Sequence, residues 1–93
     1  MRNYEYDEEK DEILKNIRGL GFEDIIDAID TGYLLADIKN PKTIYPHQFI
    51  LAVQVGKYVY AVPYVYDERS NSVFLKTIYP SRKLTKSYLS IQK

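Results

Sequence analysis

The stretch Tyr79-Pro80-Ser81-Arg82-Lys83 combines residue types that can hold and stabilise a phosphodiester. Pro80 has no N–H and cannot extend a strand, so it ends one. Ser81 is a preferred helix N-cap. Arg82 and Lys83 then fall on the first turn of a helix expected over Ser81–Ile91. A helix N-terminus already carries partial positive charge, so each cation placed there costs about 0.3–1 kcal/mol. A phosphate bound at that turn reverses the sign, and Arg can fork onto phosphate through two hydrogen bonds. Ser81, Lys86 and Tyr79 are candidate phosphate or RNA contacts beside this pair. A solvated basic face, with Lys83 and Lys86 as ordinary surface lysines, is the other reading of the same residues.

His47 is the single histidine and the one side chain that titrates near neutrality unperturbed. It can act as a general acid or base, or it can be a structural residue after the Tyr45-Pro46 turn. Other chemistries find little footing. There is no second His and no Cys for a zinc centre. The acidic N-terminal run lacks EF-hand spacing. Neither a Gly-rich phosphate loop nor a G-x-S-x-G context for Ser81 occurs. The expectation is chemistry with no metal and no small-molecule cofactor.

Positioning these groups falls to one domain of 93 residues. A chain of that length buries roughly 60–65% of its unfolded surface, enough for a modest core. No apolar run approaches the roughly 18 residues of a membrane span, and the acidic start MRNYEYDEEKDE has no signal-peptide core. The absence of cysteine is compatible with a reducing cytoplasm. The formal net charge of zero hides a division. Residues 1–38 carry four basic and eleven acidic side chains, and residues 39–93 carry nine basic and two acidic ones. Such asymmetry predicts an acidic face and a basic face, or two halves that attract each other. Tyrosine occurs ten times, and its apolar body with a polar tip suits half-buried surfaces.

Asn3–Tyr6 reads as a short edge strand. Asp7 is a suitable N-cap, followed by Glu8 and Glu9 in the first turn of a helix. Ile13, Leu14 and Ile17 give this helix an apolar stripe, with Leu20 one step on, and Gly19 and Gly21 end it. A second helix runs from Phe22 to about Asp30, with Phe22, Ile25, Ile26 and Ile29 on one face. The period then changes to two. Strands are expected at Tyr33–Ile38, Gln48–Val55, Tyr58–Tyr66 and Val73–Tyr79, with a Gly56 hairpin turn between the second and third. Pro63 predicts a bulge or an exposed edge. The row Tyr58, Tyr60, Val62, Tyr64, Tyr66 is either core, a protein-docking surface or a platform for unpaired bases. The fold class is α+β: two N-terminal helices and a C-terminal helix packed on an antiparallel sheet of four to five strands. The pentapeptide KTIYP occurs at Lys42–Pro46 and again at Lys76–Pro80. One copy lies in a loop and the other at a strand end. Their flanks share nothing, so we read two local chain terminations rather than a duplication.

Taken together, these segments resemble BrnT-type toxins of the RelE/ParE superfamily. Tyr4–Lys10, YEYDEEK, is similar to their aromatic–acidic–x–x–Lys opening. Arg18-Gly19-Leu20-Gly21-Phe22-Glu23-Asp24 falls where they carry His-Gly-hydrophobic-x-Phe-Glu-Glu. HQFILAVQVGKYVYAVPYVYD resembles their central hairpin, and TIYPSRKLTKSYL their I-I-S-A-R-K-A-T ending. The resemblance covers about residues 4–89. It implies a RelE-like fold and the cytoplasmic toxin of a type II toxin–antitoxin pair. Such a protein is a metal-independent ribonuclease that cleaves RNA and inhibits translation. A cognate antitoxin neutralises it, in an assembly with two copies of each. Arg82 and Lys83 match the family's Arg-Lys pair and would stabilise charge on the phosphorane. Lys10 matches its first-helix lysine and would bind phosphate or shuttle a proton. Arg18 stands where the family has His, so an acid–base role is not carried over there; phosphate binding is what its charge permits. Pro80 replaces a small residue.

Two other readings stay open at this level. The chain can be a non-catalytic, toxin-like module that only pairs with a protein, which the neutral charge and the missing family His favour. It can also be a small nucleic-acid-binding domain that reads phosphates through its basic half.

Overall fold

The computed structural model describes residues 3–39 and 48–89. His47 and the loop at 40–46 therefore lie outside the described residues, as does the expected continuation of the last helix beyond Leu89. The order of elements is β1 (Asn3–Tyr6), α1 (Glu8–Arg18), α2 (Phe22–Asp30), β2 (Leu34–Lys39), β3 (Gln48–Val55), β4 (Tyr58–Asp67), β5 (Ser72–Leu75), β6 (Tyr79–Pro80) and α3 (Arg82–Leu89).

Local chemistry sets the helix ends. Asp7 caps α1 by accepting the Glu9 N–H at 2.9 Å, and Glu8, Glu9 and Asp11 place negative charge on its first turn. Gly21 enters α2 in an extended conformation, and its N–H is held by the Asp24 carboxylate at 2.8 Å. A side chain at Gly21 would run into the Asp11 carboxylate and the Lys15 stem, so close approach of the two helices requires glycine here. That approach brings Asp11, one turn into α1, onto the backbone N–H of Phe22 at 2.7 Å. Asp11 is 7% exposed and also pairs with Lys15 at 3.2 Å, which raises the Lys15 pKa through the hydrogen bond and the charge of Asp11. One carboxylate thus fixes the angle between α1 and α2. Asp11→Ala leaves a buried N–H without its acceptor, and the expected loss is about 1–3 kcal/mol. Urea unfolding of the variant checks it, with a lowered midpoint and an unchanged slope.

The sheet runs β1-β5-β4-β3-β2, with β6 also paired to β4. Gly56, at φ 65°, turns β3 into β4, and the two strands pair in register from Val55↔Tyr58 to Gln48↔Val65. Two expectations are corrected. The sheet is mixed and has six strands, because β1 pairs parallel to β5, Asn3 with Ser72 through Tyr6 with Leu75. The single last strand expected over Val73–Tyr79 is divided. Tyr64 faces Leu75 whereas Ala61 faces Tyr79, so the partner chain carries one more residue than β4 over this stretch. The slip occurs opposite Pro63, whose carbonyl accepts from Lys76 N–H at 2.8 Å but which has no N–H to return. The bulge predicted from Pro63 is present, on the facing strand.

Side chains alternate between the two faces. On one face Leu51, Val53, Val62, Tyr64, Val73 and Leu75 meet Leu14 of α1 and Phe22 and Ile25 of α2 in the main core. The tyrosine row of β4 belongs here. Tyr64 is buried and donates to Asp37, while Tyr60 and Tyr66 pack at the margin of the cluster. Val62 and Tyr64 are therefore core, and Tyr58 is half-buried beside Tyr60. On α1 only Leu14 joins the core. Ile13 and Ile17, expected beside it, are 51% and 69% exposed, because the Asp11–Phe22 lock turns the opposite flank of α1 toward α2.

Candidate nucleic-acid interface

The handover from strand to helix at Ser81 is built around the backbone of Val59. Ser81 N–H donates to the Val59 carbonyl at 3.0 Å. One turn later the Thr85 hydroxyl accepts the Val59 N–H at 2.9 Å and donates to Ser81 O at 2.7 Å. Val59 would otherwise show both groups at the open end of β4, beyond β6. Ser81 caps α3 as the sequence predicts, its Oγ accepting Leu84 N–H at 3.1 Å. A hydroxyl accepts and donates at once, and the Ser81 hydrogen has no acceptor among the described residues. Ser81→Ala removes this cap, with an expected loss of about 1 kcal/mol and a fall in Tm of about 4–8 °C; a thermal melt followed by circular dichroism measures both.

At about 100° per residue, Leu84, Thr85 and Leu89 share the side of α3 turned to β4, where each is half-buried. Arg82, Lys83 and Lys86 fall together on the opposite arc, and all three are exposed. The first turn of α3 has no acidic residue. Among the described residues none of these three cations is in an ion pair. Arg82 and Lys86 are also i,i+4 neighbours of like charge, which weakens a helix by about 0.2–0.5 kcal/mol. The turn therefore concentrates positive charge at some expense to its own stability, and only an anion turns this arrangement favourable.

Tyr79 pairs with Ala61 and so stands on the face opposite the main core. It is 38% exposed, next to the start of α3. The candidate residues of the C-terminal segment, Tyr79, Ser81, Arg82, Lys83 and Lys86, are thus brought together. The N-terminal candidates are not. Lys10 and Arg18 belong to α1, which covers the main-core face through Leu14. Val59 and Ala61 are buried on the other face, and α3 packs on β4 with Ser81 and Thr85 bonded to the Val59 backbone. The sheet stands between the two sets, and the structure does not bring Lys10 and Arg18 beside Arg82. His47, the fourth candidate for chemistry, lies outside the described residues.

Two further residues join the basic face. Phe74 of β5 pairs with Val65, which puts it on the Tyr79 side of the sheet, and it is 37% exposed. The Lys76 ammonium lies 5.5 Å from its ring centre. The alternation of Val73, Phe74 and Leu75 is the signal in the sequence that finds Phe74: its neighbours point into the core and it points out. The concavities around α2 are of another kind. One of about 390 Å³ is lined by Asp24, Asp27, Tyr33, Gln54 and Val55 among others, with no basic side chain. On α1 and α2 carboxylates outnumber cations, whereas the charged residues of α3 are all cations. No helix among the described residues is long and apolar enough to cross a membrane.

No family model, curated protein or solved structure matches this chain.

Proposed function

We propose that this chain is a RelE-like toxin of the BrnT type, a metal-independent ribonuclease held inactive by a cognate antitoxin. The observation that carries the reading is the first turn of α3. Arg82 and Lys83 are exposed there, without carboxylate partners among the described residues, on a helix whose start is pinned to β4 by Ser81 and Thr85. The reaction is attack of a ribose 2′-OH on the adjacent phosphate, with departure of the 5′-oxygen. Arg82 binds two oxygens of the scissile phosphate, and Lys83 neutralises charge gained in the phosphorane. The Ser81 hydroxyl and Lys86 hold neighbouring phosphate oxygens. His47 is the group to test for proton transfer.

Inducible expression in bacteria tests the reading. Growth stops and transcripts shorten if it is right. Soluble protein that leaves both untouched removes the ribonuclease claim.

The placement of Lys10 and Arg18 across the sheet favours one other reading. A family-like site with Arg18 in place of the His, and with its first-helix lysine away from Arg82, is a site that can bind without cutting. In that case the chain is a non-catalytic module that pairs with a protein partner. Purification of the native complex separates the two: a stable partner, and no cleavage after its removal, selects the second.

A further inference from the structure

Phe74 and Tyr79 are the two large aromatics exposed on the sheet face that α3 flanks, and neither belongs to the main core cluster. Their partners on β4, Val65 and Ala61, are four residues apart, so the two rings stand roughly 13 Å from each other along the strand. Lys76 lies between them in the chain, with its ammonium over the Phe74 ring. Beyond Tyr79 come Arg82, Lys83 and Lys86. The face thus alternates an aromatic, a cation, an aromatic and a cation cluster. Carboxylates mark its far end. Glu5 pairs with Phe74 from β1 and accepts from Ser72 Oγ at 3.1 Å, and Asp67 accepts the Arg69 N–H at 3.0 Å.

We infer that this strip is a track for single-stranded RNA, with an unpaired base stacked on Phe74, its phosphate on Lys76, and the chain led past Tyr79 to Arg82. The inference rests on the ribonuclease reading for its polarity but is tested by binding alone. Three observations favour RNA over a protein partner on this face. Its cations match a backbone that repeats negative charge. Exposed rings suit the π-faces that every base has. A cation already parked on the Phe74 ring marks a surface that takes flat or positive groups and leaves Lys76 free to move onto phosphate when a base arrives. Duplex RNA is excluded from the track, because its bases are stacked on each other and present no free face. Glu5 and Asp67 repel phosphate, so the track stops at Phe74 and does not continue over β1.

The experiment is fluorescence anisotropy with labelled oligouridine and oligoadenosine, 2′-O-methylated so that cleavage cannot occur, and with a methylated hairpin duplex of equal charge. Wild type binds the single strands and prefers them to the duplex. Phe74→Ala weakens single-strand binding about 5- to 150-fold, the range of one base–aromatic stack, and leaves the salt dependence unchanged. Phe74→Tyr restores it. Lys76→Gln lowers the slope of log K against log salt by about 0.7, one phosphate's worth on a single strand. Phe74 is on the surface, and an unchanged melting temperature for Phe74→Ala shows that its loss of affinity is not unfolding. No binding of any oligonucleotide, equal binding of the duplex, or wild-type affinity in Phe74→Ala each overturns the track. Binding as described without cleavage of unmodified RNA keeps the track and removes the ribonuclease instead.

Discussion

Arg82→Ala slows RNA cleavage by about 10²–10³-fold, the effect of removing one preorganised donor from a developing oxyanion, and the protein melts no earlier than wild type. The second half of that result is what makes the first informative. A cation on the first turn of a helix opposes the helix dipole by about 0.3–1 kcal/mol, and Arg82 also repels Lys86 one turn on. Taking it away relaxes both. A residue kept for the fold would lower the melting temperature when truncated; Arg82 is expected to leave it unchanged or raise it slightly. Lys83→Ala behaves alike, with a smaller loss because an ammonium makes no forked contact. Because the two act on one phosphate, the double variant falls short of the product of the single effects. Single-turnover cleavage of a short RNA measures the rates, and differential scanning calorimetry the melts. Wild-type rates in Arg82→Ala would take the charge-stabilising role away from the α3 turn.

Phe22→Ala strongly lowers the stability of the fold. Phe22 is fully buried, opens α2, and stacks on Tyr6 with ring centres 4.9 Å apart at 25°. Truncating a buried Phe typically loses about 3–5 kcal/mol, and the stacked pair adds about 0.5–1.5 kcal/mol. A domain of this length holds roughly 5–14 kcal/mol in all. The ring lies where α1, α2 and β1 converge, so the hole it leaves cannot close without moving the Asp11 lock. Urea unfolding reads the change in the midpoint. Ile17→Ala is the internal contrast. Its side chain is 69% exposed, and the variant is expected to stay within about 0.5 kcal/mol of wild type. Together the pair tests whether α1 and α2 are seated as described, independently of any activity.

Much of the local structure was legible because its causes are local. Asp7 before two glutamates specifies a helix start, Gly56 a tight hairpin, Ser81 after a proline the α3 cap; each rests on neighbours within a few residues. The parallel pairing of β1 with β5 has no such signature. It joins segments almost seventy residues apart, and a four-residue alternation at Asn3–Tyr6 fits either edge of any sheet. The division of the last strand was half legible. Pro63 announced a bulge, but which strand takes the extra residue depends on how Lys76 meets its carbonyl. The stripe on α1 misled because three apolar residues at helical spacing look alike. Asp11, a charged residue that sequence patterning assigns to solvent, decides which one turns inward. The candidate site divided in the same way. Residues 79–86 follow from local strand-to-helix chemistry, whereas the fate of Lys10 and Arg18 depended on which side of the sheet each helix packs.

β1 waits for β5. Until Ser72–Leu75 has left the ribosome, Asn3–Tyr6 has no neighbour to pair with, and the pocket that Leu14 and Phe22 fill still lacks Val73 and Leu75. The nascent chain can form its helices and its central hairpin early, but closure spans almost its whole length, which slows folding. A message truncated before codon 72 therefore yields a chain that cannot close its sheet, and α3 with its cations is absent from it altogether.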